Sequence, residues 1–219
     1  MDEDILTQEY RTKGTAFTPA GDPLYEERLE HIANDSGGEL TVTYTAPGGK
    51  MIASKIVQYD CRATMPGFEL IDYVNNDKEG VFWQEDQIVS FQGADQTLLD
   101  APAGPGIFDA GFDNAIKINW EELMSGQKLV FSYLFARDNR FIKLKLQKSG
   151  APETVGPDVS EGTVFFKISA NNFILRLFSQ PLFVGYDTNS RRLQYYSGPS
   201  NLPVFNKRQP VLIRYEFLS

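Results

Sequence analysis

Histidine and cysteine are nearly absent from this chain of 219 residues, which holds only His31 and Cys61. One cysteine allows no intramolecular disulfide, and one His with one Cys cannot fill the three or four positions of an ordinary zinc site. A Ser-His-Asp or Cys-His arrangement would have to use His31 itself. That residue sits in an acidic, unpatterned stretch and reads as a strand or surface residue. Cys61 reads as a small buried hydrophobe rather than a nucleophile. Basic charge is short too: 21 Lys and Arg stand against 29 Asp and Glu, a formal net charge of -8. DNA and RNA require a positive footprint, and anionic lipid headgroups require a polybasic grip, so neither is an expected partner. No run approaches the roughly 18 apolar residues of a helical membrane span. The opening Met1-Asp2-Glu3-Asp4 carries no basic-then-apolar leader, so it reads either as a cytoplasmic start or as a mature start left by removal of a signal peptide. Gly104-Pro105-Gly106 lacks the Lys-Ser/Thr partner of a phosphate loop. No cofactor, metal or catalytic residue is therefore expected.

Aromatic side chains, by contrast, are plentiful. Sixteen Phe, ten Tyr and two Trp make 13% of the chain, more than a sheet core of this size needs. Lining a half-open barrel, they would hold an acyl chain or another apolar ligand. Aromatics also dominate ordinary strand cores, and that reading stays open. Their spacing decides the fold class. Val211, Ile213, Tyr215 and Phe217 share one face of a strand, with Leu212, Arg214 and Glu216 on the other. Leu129, Phe131, Tyr133 and Phe135 alternate likewise, as do Ile142, Leu144 and Leu146 against Lys143 and Lys145. Such alternation marks antiparallel strands with one buried face.

Along the chain, residues 1–20 read as a flexible lead-in and 21–219 as one β domain. A short helix near Leu24–Leu29 competes with a strand carrying His31 and Ile32. Glu39–Thr45 and Met51–Tyr59 form a hairpin about Pro47-Gly48-Gly49-Lys50, since Pro fixes one backbone angle and Gly accepts positive φ. Further strands are expected at 68–74, 81–83 and 87–91. The turn Asn75–Gly80 does not match the ligand spacing of a calcium loop. After the breaker-rich 100–106 the period changes. Phe108, Phe112, Ala115, Ile116, Trp120 and Leu123 recur at helical spacing up to Ser125-Gly126, which predicts an amphipathic helix or helix pair. Asp113 and Lys117 stand four apart, the spacing of a helical ion pair. Strands resume at 128–135 and 142–146 about a turn at 137–140. A loop at 149–161 comes next, then a 163–177 hairpin about Asn171-Asn172, and strands at 183–186, 193–196 and 211–217. The helix is expected to plug the open side of a curved sheet.

The remaining route to enzymatic chemistry is a pair of carboxylates, Asp109 with Asp113 or Glu121 with Glu122. Neighbouring acids on one helix read first as a solvated flank.

The segment Phe108-Asp109-Ala110-Gly111-Phe112-Asp113-Asn114, continued by Ile118-Asn119-Trp120-Glu121-Glu122-Leu123-Met124-Ser125-Gly126, resembles an uncharacterised family of bacterial envelope proteins. There a D-x-G-F-D helix and a W-x-x-L-x-x-G stop precede a hairpin like that beginning at Lys128. Over Leu40 to Phe217 the architecture is similar to the lipoprotein-carrier (LolA/LolB-like) superfamily, an unclosed antiparallel β-barrel with helices inside its concave face. The resemblance implies a periplasmic protein with a hydrophobic concave surface and no catalytic residues.

These readings converge on a mainly β (α+β) fold, a curved antiparallel sheet or half-open β-barrel covered by a helix. The expected function is non-enzymatic binding or carriage of a lipid or acyl ligand, with a protein partner unspecified. The residues expected to line the site are Phe112, Ile116, Trp120, Phe131, Tyr133, Phe135, Phe166, Leu175 and Tyr215. The alternatives are an envelope interaction protein with a self-filled core and a carboxylate-based hydrolase.

Overall fold

The computed structural model describes residues 9–35, 37–60, 62–156, 159–171, 181–200, 202 and 210–218. Alternation of inward apolar and outward polar side chains drives most of the chain into strands. The first eight are β1 (Tyr10–Phe17), β2 (Pro23–Ile32), β3 (Glu39–Thr45), β4 (Met51–Gln58), β5 (Gly67–Asp72), β6 (Asp77–Gln84), β7 (Gln87–Gln92) and β8 (Asp95–Leu99). The short β9 (Gly106–Ile107) leads into helices α1 (Gly111–Ile118) and α2 (Trp120–Met124). The chain then runs through β10 (Lys128–Phe135), β11 (Arg140–Ser149), β12 (Thr163–Ala170), β13 (Leu182–Asp187), β14 (Leu193–Pro199) and β15 (Pro210–Leu218).

Among the described residues these strands make one sheet, ordered β8-β7-β6-β5-β4-β3-β2-β1-β15-β14-β13-β12-β11-β10-β9. Every pairing is antiparallel except the short contact of β9 with β10. The two ends of the chain meet, because β1 pairs with both β2 and β15. The sheet therefore curls as a meander whose opening lies between β8 and β9, an unclosed, barrel-like arrangement. Side chains rather than a ladder bridge this seam. The Ser90 hydroxyl donates to the Ala136 carbonyl at 3.0 Å and the Asn139 amide to Thr97 Oγ1 at 3.1 Å. Phe108 fills the seam from inside, stacked on Trp83 at 6.0 Å and tilted against Phe141 at 6.1 Å.

The helix pair lies against the concave face, as its apolar stripe predicts. Ala115, Ile116, Trp120 and Leu123 pack on Phe131, Leu146, Phe166, Val184 and Tyr186 of β10 to β13. The Trp120 ring meets Phe166 and Tyr186 edge-on, at 5.5 and 6.1 Å. The Ser125-Gly126 stop has a definite mechanism. Gly126, at φ +92, donates to the Leu123 carbonyl, and Gln127 donates to that of Glu122. These two bonds form the left-handed cap that ends a helix on glycine.

Four sequence expectations change. Residues 10–17 are not a lead-in but β1, a strand flanked on both sides, whose inward positions carry the small residues Thr12, Gly14 and Ala16. A strand with so little apolar bulk shows no period of two. The helix near 24–29 is absent, since β2 runs through it. Edge strand β8 is additional to the expected strands, being mostly polar and exposed and so without an apolar period. Asp77, expected in a turn, already belongs to β6, and the turn ends at Asn76. Cys61 and the hairpin tip beyond Asn171 lie outside the described residues.

Candidate functional site

A helix pair covers only part of so wide a sheet, and the uncovered interior is a cavity of about 1170 Å³. Its apolar wall comes from Leu29, Val42 and Leu70 on one side and from Phe131, Tyr133 and Phe135 on the other. Tyr215 and Phe217 of β15 join them where the chain ends meet, and Phe112 projects from α1. This volume lies just above the roughly 300–1,000 Å³ typical of small-molecule sites.

The cavity is also charged. Lys55, pointing inward from β4, places its ammonium 2.8 Å from both carboxylate oxygens of Asp109, just ahead of α1. The Lys117 ammonium reaches Asp113 Oδ2 at 2.7 Å, and the Tyr186 hydroxyl donates to the other oxygen at 2.8 Å. Arg137 bonds Glu79 and lies 3.4 Å from Asp77. Asp72 is tied into the β5–β6 turn, accepting from the backbone N–H groups of Val74 and Asn75 at 2.8 and 3.0 Å. The Asn75 side-chain amide adds a third bond to it at 2.7 Å.

Glu27 is different. It is buried (4% exposed) and faces the cavity, yet among the described residues no lysine or arginine forms an ion pair with it. Its partner is the Tyr215 hydroxyl. Register explains how they meet. Gly14 of β1 stands opposite Glu27 on β2 and opposite Tyr215 on β15, so the three form one inward row. A Cβ at Gly14 would lie 2.7 Å from Glu27 Cγ and 2.8 Å from Tyr215 Cε1, so only glycine lets these side chains meet across the strand. Burial pushes the Glu27 carboxyl above the ordinary glutamate range; the Tyr215 hydroxyl and Lys55 oppose that rise and Asp109 adds to it. Burial likewise pushes the phenols of Tyr59, Tyr186, Tyr196 and Tyr215 well up, which keeps them neutral donors at physiological pH. Two residues before Gly14 on the same face, Thr12 is 4% exposed, and among the described residues its Oγ1 has no hydrogen-bond partner.

Of the residues expected from sequence, Phe112, Phe131, Tyr133, Phe135 and Tyr215 lie on the cavity wall. Ile116, Trp120 and Phe166 do not. They are buried between helix and sheet, because the apolar stripe of the helix pair is used up against β10 to β13. Leu175 lies outside the described residues. The solvated-flank reading of Asp109 and Asp113 is also corrected, since both line the cavity and hold lysines. Glu121 and Glu122 are the exposed pair, with Glu121 bonded to Arg191 at 2.7 Å. His31 is a buried strand residue, stacked on Tyr10 at 5.2 Å. Sequence reasoning missed Glu27, Lys55 and Gly14. The signal was a lone charge at an inward position: Glu27 between Tyr25 and Leu29, and Lys55 between Ala53 and Val57.

Among the described residues no helix is long and apolar enough to cross a membrane, and no three His, Cys, Asp or Glu stand close enough to hold a metal. Fold and site together define a class: an unclosed, barrel-like antiparallel sheet around an interior cavity. No family model matches the chain, and no curated protein does. Among solved structures it is similar to a β-barrel-like protein of a domain of unknown function, DUF1849, from Brucella abortus. That likeness has a TM-score of 0.55 at 7% identity and covers 97% of each chain. At that identity it speaks for the fold alone.

Proposed function

We propose that this is a non-enzymatic binding or carrier protein that holds the apolar part of a lipid or other acyl-bearing ligand inside its barrel. The observation that carries the reading is the interior cavity, large enough for a long alkyl chain and walled by aromatic and branched aliphatic side chains. The sequence resemblance to lipoprotein carriers adds the expectation of a periplasmic setting. An interaction protein with a self-filled core fits less well, because the helix pair leaves that interior uncovered. A carboxylate hydrolase also fits less well: Asp109 and Asp113 are each engaged in an ion pair with a lysine, Asp109 with Lys55 and Asp113 with Lys117.

Native mass spectrometry after incubation with mixed lipids tests this reading, together with titration of a fluorescent acyl probe. A discrete adduct and saturable binding are expected. Tyr133→Ala, on the cavity wall, should weaken the probe more than it lowers stability. A clean apo mass with no probe binding would sink the carrier reading and return the self-filled alternative.

A further inference from the structure

We propose that the polar end of the cargo is a cation, an ammonium group on an apolar body, and that Glu27 is its counter-charge. This rests on the reading of the cavity as a cargo site and concerns the chemistry of the head.

Charge matching inside the cavity comes first. Among the described residues six carboxylates line it, and five of them are accounted for. Asp109 is matched by Lys55, Asp113 by Lys117, and Asp77 with Glu79 by Arg137, while Asp72 is fixed in its turn. Glu27 is left with a tyrosine hydroxyl. A buried carboxylate without a counter-ion is expensive, and an apolar residue at the same inward position would cost nothing of the kind. The fold nevertheless clears space for this side chain by leaving Gly14 bare between Glu27 and Tyr215.

The surroundings supply the rest of a cation site. Tyr44 stands opposite Glu27 on β3 and Tyr215 lies across Gly14 from it, both on the cavity wall, and aromatic rings attract ammonium groups once water is excluded. From the same face of β1, Thr12 presents a buried hydroxyl oxygen that has no partner among the described residues, an acceptor for an ammonium N–H.

The cavity's cations among the described residues are poorly placed for an anionic head. Lys55, Lys117 and Arg137 are bound to carboxylates, and Arg191 is bound to Glu121 with its guanidinium 5.3 Å from the Trp120 ring centroid. Arg192 is exposed and lies over Phe217 at 4.4 Å. Among the described residues an anionic head would be left with Arg192, an exposed side chain and not a member of the buried row of Glu27.

Calorimetric titration with dodecylammonium, dodecanol and dodecanoate, each below its micelle concentration, tests the proposal. The three share one chain and differ only in the head. Dodecylammonium should bind about tenfold or more tighter than dodecanol, with dodecanoate weakest. Glu27→Gln should bring the amine down to about the alcohol's affinity while dodecanol still binds, which shows that the variant is folded and its cavity intact. Dodecanoate binding tightest, or an amine preference that survives Glu27→Gln, would overturn the cationic head and leave the carrier reading standing. If none of the three binds, both fall.

Discussion

The two sides of this sheet are built by the same alternation and end in different states. On β10 to β13, inward side chains meet the helix pair, and the rings of Trp120, Phe166 and Tyr186 interlock. On β1 to β5 the inward face carries Leu29, Val42 and Leu70 in the same manner, but with Glu27 and Lys55 among them and open space in front. Dimensions explain the difference. Gly111 to Met124 makes a helical segment roughly 20 Å long and 10 Å wide, while the fifteen strands among the described residues, at about 4.8 Å spacing, span roughly 70 Å. One short helix pair can dry one side of such a sheet and no more. The uncovered side keeps its charges because they face a cavity, not packed hydrocarbon.

Breaking the packed side should have the largest effect. Trp120→Ala removes a ring that is 4% exposed and in contact with two other rings. Its cost should be about 3–5 kcal/mol in denaturant unfolding, with acyl-probe affinity of the folded fraction little changed. A matching loss of affinity would mean that the helix side contributes to the site, and the contrast between the two sides would fail. Next comes the ion pair on the open side. Lys55→Ala leaves Asp109 unpaired in the interior, a change that usually costs about 3–5 kcal/mol. The Asp109 side chain is still 16% exposed, so the lower end of that range applies. Adding Asp109→Asn should recover much of the loss in the same unfolding measurement.

A face that is apolar throughout is far easier to read from sequence than one that carries charge or small residues. The alternation in β3, β10 and β15 and the helical period at 108–123 are local signals, and each reflects a face that is apolar throughout. β1 escapes because Thr12, Gly14 and Ala16 give its inner face no hydrophobic period, and β2 is ambiguous because Glu27 interrupts its own. In the site, Phe112, Phe131, Tyr133, Phe135 and Tyr215 are visible as aromatics at inward positions. Lys55 is not, because its partner lies 54 residues away. Glu27 and Tyr215 come together only when the chain ends pair through β1, a closure that no local pattern announces.

Gly14 sharpens the comparison from within that closure. Gly14→Ala places a methyl against Glu27 and Tyr215, with strand geometry on both sides limiting any retreat. A cost of about 1–3 kcal/mol is expected in thermal or denaturant unfolding, together with weaker cargo binding. On the packed side the comparable change, Ala115→Gly, should lower stability by about 1 kcal/mol through helix propensity and leave binding alone.

The smallest effect should have the opposite sign. Glu27 is buried, and its folded carboxyl holds a proton at pH values where the unfolded chain has released it, because burial raises its affinity for protons above the ordinary value near 4.5. In that window the folded state binds more protons than the unfolded one, so this group's contribution to stability falls as pH rises through it. At neutral pH the parent therefore carries a penalty that Glu27→Gln removes, since the amide still accepts from Tyr215. Thermal melts should place the variant above the parent at pH 7, by about 2–4 °C for each kcal/mol recovered, and level with it near pH 4. The groups facing Glu27 from other elements are Tyr215 of β15, Lys55 of β4 and Asp109 ahead of α1. Lys55 is committed to Asp109, so it relieves the penalty only in part. A saturating amphipathic amine supplies the missing counter-charge and should reverse the order, the parent then melting above the variant. If Glu27→Gln lowers the melting temperature at pH 7 without ligand, the carboxylate is already compensated, and the open side is no more costly in charge than the packed one.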